Sequence, residues 1–230
     1  MPATLNPPPA GDETAQPAAR QPAAPITGEQ TPGEPTWEIA RLYPPQGSWT
    51  VEEYFALGDR TSRPIEYVDG HLEFLPMPTF EHQDFAKWLF KRLDTFVESR
   101  KLGEVYFSPL PVWTIPTKYR EPDVLFVTPE QRRGRRHATA GASLVMEIVS
   151  ADEKSQTRDR VDKRAEYAAA GIPEYWIVDP GPRTVTVLTL LEDATEYAEA
   201  GVYGETDTAA SVLLEGFTVS VADLFAAAED

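Results

Sequence analysis

The sequence predicts an α/β domain in which a central mixed sheet is flanked by helices. Two observations carry that prediction. Apolar residues recur at helical spacing in two well separated stretches, and short uninterrupted apolar runs lie between and after them. The resulting order is helix, hairpin, helix, strands, helix, strands, the pattern of helices packed in layers on a sheet.

The elements follow in chain order. Thr50 with Glu53 three residues on forms a capping box that opens a short helix, Val51 to Leu57. Two alternating runs within Ile65 to Leu75 flank Asp69-Gly70, the favoured pair for a tight type I′ hairpin, and Pro76 and Pro78 end it. From Glu81 to about Lys101, Phe85, Trp88, Leu89, Leu93, Phe96 and Val97 share one face of a long amphipathic helix stopped at Gly103. Strands are predicted at Glu104–Phe107, Val112–Ile115, Asp123–Val127 and Leu144–Val149. A second helix, Gln156 to Ala170, closes at Gly171, with Val161, Ala165 and Ala168 as its apolar side. Glu174–Val178 and Thr184–Leu190 read as strands joined by an Asp-Pro-Gly-Pro turn. A weak strand near Val212–Leu214 and a helix Val221–Ala227 complete the pattern.

The first 46 residues differ from the rest. They hold eleven of the 22 prolines and almost no apolar periodicity, so they read as a disordered Pro/Ala-rich extension, 1–46, ahead of one folded domain, 48–230. No apolar window approaches the roughly 20 residues of a membrane span. No cationic and apolar leader opens the chain. The absence of cysteine removes disulfides, thiolate metal sites and thiol nucleophiles. Together these features lead us to expect a cytoplasmic protein without membrane contact. The formal net charge of −16 opposes long-range attraction of a polyanion.

Two carboxylates stand where carboxylates are costly. Asp123 opens the run Val124-Leu125-Phe126-Val127, and Glu147 sits inside Leu144-Val145-Met146-Glu147-Ile148-Val149. A strand apolar on both faces is a central one. An ionised carboxylate there needs a cation facing it, which a lysine, an arginine or a metal ion could supply. Two acids on neighbouring strands suit a hard cation, which takes several converging oxygens. Asp159, Lys163 and Tyr167 form a stripe at i, i+4, i+8 on the second helix, readable either as a surface ion pair or as a group reaching over the acids. Glu66 shares a side of its strand with Val68, and His82 heads the long helix, a place where histidines are usually exposed. Arg132, Arg133, Arg135 and Arg136 form a compact basic loop able to meet a phosphate backbone. His71, His82 and His137 lack the ligand spacing of a zinc hydrolase.

Read together, these stretches resemble a known family. Glu66-Tyr67-Val68-Asp69-Gly70, Glu81-His82, Glu121-Pro122-Asp123-Val124 and Leu144 to Ser150 are similar to the Uma-type restriction endonucleases of the PD-(D/E)XK nuclease superfamily. Arg158 to Tyr167 and Gly171 to Asp179 extend the resemblance, which covers about residues 48 to 227. It implies a restriction-endonuclease-like fold. It also implies Asp123 as the first acid, Glu147 as the second, Glu66 as an additional metal-binding acid and His82 as a helix-borne histidine near the site. The superfamily places lysine two residues after the second acid, where this chain has Val149. The resemblance is to members whose lysine has moved to the next helix, which makes Lys163 its occupant. Ser150-Ala151 also departs from the family's more frequent Ser-Pro.

The expected activity is therefore hydrolysis of phosphodiester bonds in nucleic acid, DNA above all. Mg²⁺, or Mn²⁺ in its place, would be held by Asp123, Glu147 and Glu66, with Lys163 catalytic and His82, Asp159 and Tyr167 shaping the site or meeting phosphate. A homodimer would pool two modest basic surfaces against the acidic charge. The alternative is a nuclease fold kept as a binding or regulatory module with little or no catalysis.

Overall fold

A computed structural model describes residues 42–150 and 156–229. The expectation of a disordered arm over 1–46 falls largely outside the described residues. Gln46, its last member, is tied to the hairpin through both its side-chain amide oxygen and nitrogen, bonded to the Leu72 backbone at 2.8 and 3.0 Å.

Chain order gives α1 (Val51–Gly58), β1 (Ile65–Val68), β2 (His71–Phe74), α2 (Phe80–Arg100), β3 (Glu104–Phe107), β4 (Val112–Trp113), β5 (Lys118–Arg120), β6 (Val124–Val127) and α3 (Pro129–Arg132). Then follow β7 (Leu144–Ile148), a π-helical turn (Arg158–Asp162), α4 (Lys163–Ala169), β8 (Glu174–Asp179), β9 (Thr184–Thr189), β10 (Ala198–Tyr203), β11 (Thr208–Ala210), β12 (Thr218–Ser220) and α5 (Val221–Ala226). The central sheet is six-stranded in the order β10-β9-β8-β7-β6-β3. Only β7 and β8 run parallel, so the sheet is mixed as predicted. A parallel pair requires a crossover, and that crossover carries α4 over the sheet.

Side chains alternate across the central strands. Leu144, Met146 and Ile148 pack toward α2 and α5, with Phe85, Leu89, Leu93, Val97, Leu224 and Phe225. Val145, Val149, Leu125 and Ile177 pack on the opposite side with Tyr167 and Ala168 of α4. Glu147, between Val145 and Val149, consequently points to the α4 side. The second sheet, β2-β1-β5-β4, is held by an aromatic cluster of Tyr54, Tyr67, Trp113 and Tyr119.

Local chemistry sets several boundaries. Both hydrogen bonds of the Thr50–Glu53 capping box form. Asp69 and Gly70 both have positive φ, 49° and 79°, as a type I′ turn requires. Three expectations need correction. Residues 212–214 are not a strand; the extended segments are β11 and β12 on either side. Their loop is instead gathered around buried Glu174, which accepts the Val212 and Leu213 N–H groups at 2.7 Å each. Strands β5 and β10 were not predicted. Val161, taken as part of the helix's apolar side, is 59 % exposed, and Ala165 is exposed as well.

Candidate active site

Antiparallel pairing of β6 with β7 sets Val124 opposite Met146, so the register brings Asp123 opposite Glu147. The two acids that sequence reasoning paired are neighbours. Asp123 is oriented by the Ile148 N–H, which donates to its Oδ2 at 2.7 Å. His82 Nε2 meets the same oxygen at 3.2 Å. Burial would pull the His82 pKa down, but the hydrogen bond and charge of Asp123 hold it above the ordinary histidine range. Thr79 caps α2 and places His82 in its first turn, where the imidazole is mostly buried rather than exposed.

The cation demanded by buried Glu147 is Lys163. Its ammonium lies 2.8 Å from Glu147 Oε1, 3.1 Å from Glu66 Oε1 and 3.4 Å from Asp159 Oδ1. The Tyr167 hydroxyl donates to the same Glu147 oxygen at 2.7 Å. Asp159, Lys163 and Tyr167 are all buried, so the stripe faces the sheet and not solvent. The π-helical turn, in which the Lys163 N–H reaches back to the Arg158 carbonyl, sets the phase that allows this. Burial of Lys163 works against its charge, but three carboxylates outweigh it and keep the ammonium protonated. For Glu147 burial dominates. Lys163 opposes it, Asp123, Asp159 and Glu66 reinforce it, and the carboxyl is pushed up to about 8.

Glu66 is wholly buried, and both its oxygens are engaged. Oε2 accepts from Arg120 Nη1 at 2.7 Å, and Oε1 accepts the Glu121 N–H at 3.1 Å in addition to Lys163. Burial would raise its pKa, but Lys163, Arg120 and that backbone donor together hold it at about 2. Arg120 escaped the sequence reading, as did Glu166 and Glu121. The guanidinium of Arg120, 2 % exposed, also grips Glu166 through Nε at 2.7 Å and Nη2 at 2.9 Å. Glu121 lies on the cleft wall, where burial and Glu66 push it up to about 8. Arg120 and Glu121 stand just ahead of Pro122-Asp123 and Glu166 three residues after Lys163, and both glutamates lie in stretches that carry the family resemblance. Arg132 is drawn away from the site, donating to Tyr106 Oη and the Arg135 carbonyl. The basic loop it begins contributes no residue to the cleft wall.

The cleft, about 720 Å³, is walled on one side by Asp123, Glu147, Asp159 and Lys163 and on another by Leu75, Met77 and prolines 64, 76, 78 and 109. Glu66 stands behind this wall. Asp123, Glu147 and Asp159 share one feature. One oxygen of each is engaged, Oδ2, Oε1 and Oδ1 respectively, while no described residue donates to the other oxygen. Among the described residues no three His, Asp or Glu side chains are arranged to enclose a metal ion unaided. The donor set nevertheless fits a hard divalent ion of the Mg²⁺ kind, which commonly takes one or two carboxylates and completes its shell with water and substrate phosphate.

The Uma2 family model, described as "Putative restriction endonuclease", matches residues 51–222. Among solved structures, a protein of Anabaena variabilis described as a putative nuclease superposes with a TM-score of 0.59 at 19% identity, covering 78% of this chain and 98% of that one. That likeness shows the fold. A search of curated proteins returned no match. Among the described residues no helix is long and apolar enough to cross a membrane.

Proposed function

Starting from the fact that this chain belongs to the Uma2 family, we propose that it is a divalent-metal-dependent nuclease that hydrolyses phosphodiester bonds of DNA at the Asp123–Glu147 cleft. The observation that carries this reading is the set of half-engaged carboxylates beside a buried, protonated lysine. Asp123 and Glu147 would hold Mg²⁺ or Mn²⁺, with Asp159 beside them and Glu66 acting from behind Lys163. When bound, such an ion supplies Lewis-acid charge neutralisation and lowers the pKa of water.

The chain's own residues do the rest. The Ile148 N–H and His82 fix one oxygen of Asp123, which lines the cleft, and leave the other without a donor among the described residues. Tyr167 does the same for Glu147. Lys163 brings a fixed positive charge to the place where phosphate oxygens gain negative charge as water attacks phosphorus, and it needs no reorganisation to do so. The net charge of −16 is compatible with this chemistry, because part of it is the acid cluster that a bound cation offsets. We further propose that two copies associate and pool their basic surfaces.

The test is cleavage of supercoiled plasmid and of single-stranded DNA with Mg²⁺, Mn²⁺ or chelator. Cleavage that needs metal and is lost in Asp123→Ala and Glu147→Ala supports the reading. Metal binding without cleavage of either substrate would favour a binding module on the same fold.

A further inference from the structure

We propose that Arg120 is a positioning residue for Lys163, acting on both ends of the lysine at once; this rests on the nuclease reading of the cleft. Register puts Arg120 next to Glu66. The pairing of β1 with β5 sets Tyr67 opposite Tyr119, so Glu66 faces Arg120, and on the other side Glu66 faces Glu73 of β2. The guanidinium thus sits at the end of a row of two carboxylates on one face of the small sheet. From there it reaches the crossover helix of the large sheet.

Its two arms do different jobs. Nε and Nη2 form a fork on Glu166, at 2.7 and 2.9 Å, three residues after Lys163 on α4. This fixes the helix, and with it the Lys163 backbone, against the small sheet. Nη1 binds Glu66 Oε2 at 2.7 Å, while Glu66 Oε1 accepts from the Lys163 ammonium at 3.1 Å. The same nitrogen meets Glu73 at 3.1 Å, and Lys118 shares Glu166 at 2.8 Å. The shared charge on Glu66 has a consequence for the lysine. The ammonium rests 2.8 Å from Glu147 and 3.1 Å from Glu66, whose charge Arg120 neutralises through the other oxygen. Without that neutralisation, Glu66 competes more strongly and draws the ammonium away from the cleft acids. Arg120 is not among the residues lining the cleft, so it acts through Lys163 and not on substrate.

A lysine in place of Arg120 keeps the charge but not the planar fork. The experiment compares wild type, Arg120→Lys, Lys163→Met and the double variant, by Mn²⁺-dependent DNA cleavage and by the ¹H–¹⁵N signals of lysine ammonium groups, with Lys163→Met identifying the Lys163 signal. We expect Arg120→Lys to stay folded, to hold KM within about twofold and to lose about 10- to 100-fold in kcat, as supporting partners of a site typically do. Its Lys163 ammonium signal should weaken or disappear, and in the Lys163→Met background the same change should cost nothing further in kcat. An unaltered Lys163 signal together with an equal loss in both backgrounds would overturn the proposal, since that is what a purely structural arginine gives. If Arg120→Lys does not fold, Glu166→Gln weakens the fork on α4 and is judged by the same readouts. If wild type cleaves no DNA, the nuclease reading fails, and the Lys163 ammonium signal alone decides whether Arg120 positions it.

Discussion

Lys163 Nζ and Glu147 Oε1 lie 2.8 Å apart, 16 residues apart in sequence, one on a crossover helix and the other on the strand beneath it. Neither side chain is more than 4 % exposed. An ammonium so deeply buried offsets its desolvation only with good geometry and several acceptors, and Glu66 and Asp159 stand beside Glu147 to provide them. Its position on a cleft wall is the reason to assign it chemistry as well as structure.

Lys163→Met should remove the fixed positive charge while preserving much of the side chain's bulk. DNA cleavage should fall about 100- to 1000-fold, the usual loss when one preorganised electrostatic group is deleted. Thermal unfolding should still be cooperative, because burial already favours the protonated Glu147 carboxyl and loss of the lysine favours it further. Full activity in this variant would remove Lys163 from the mechanism.

Tyr167→Phe deletes one donor to Glu147 and leaves the ring packed against Tyr175. The expected stability loss is about 1 kcal/mol, and cleavage should drop severalfold, much less than for Lys163→Met. A larger effect than that of the lysine variant, measured in the same assay, would make the tyrosine hydroxyl and not the ammonium the more important group.

How far the sequence disclosed this site depends on the element. The capping box at Thr50, the Asp69-Gly70 turn and the face Phe85, Leu89, Leu93, Val97 are local patterns with local causes, and they are present as predicted. The acid pair was visible because carboxylates inside apolar runs stand out. Arg120 was not, since β5 is three residues long and reads as Lys-Tyr-Arg, with no alternation to reveal its buried side. On the second helix the periodicity rule holds only in part. Of the predicted apolar side only Ala168 is buried, beside Lys163, Glu166 and Tyr167, while Ala165 and, in the π-helical turn before it, Val161 face solvent, so an apolar-stripe criterion misses the buried charges. β10, with Glu199 and Gly201 in an exposed edge strand, lacks strand-forming composition.

Stability should depend on pH in two windows of opposite sign. Glu147 and Glu121 are carboxyls raised from 4.5 to about 8 in the fold. The folded state therefore binds more protons than the unfolded chain, and metal-free stability contributed by these groups is complete below about 4.5 and lost as pH rises to about 8. Glu66 is lowered to about 2, so its contribution is present above 4.5 and lost as pH falls through about 2. Thermal denaturation across pH without metal checks both. Adding Mn²⁺ should raise Tm by an increasing amount as pH climbs to about 8, because the ion must displace the Glu147 proton. A Mn²⁺ effect that shrinks with rising pH would contradict this.

Glu174 is fully buried, is not among the residues lining the cleft and serves as a peg for the 211–214 loop. Its oxygens accept from Trp176 Nε1, Ser211 Oγ and two backbone N–H groups, each at 2.7 Å. Glu174→Ala leaves those donors unpaired and should cost roughly 2–5 kcal/mol. Chemical denaturation measures the loss, and metal affinity at the cleft should be unchanged.

Whether Asp123 and Glu147 together hold a divalent ion is read from the anomalous difference map of a crystal soaked in Mn²⁺ near pH 8. One strong peak is expected at coordination distance from Asp123 Oδ1 and Glu147 Oε2, absent from crystals of Glu147→Ala. Crystals that bind no Mn²⁺ at these two oxygens while the same protein cleaves DNA would contradict that expectation.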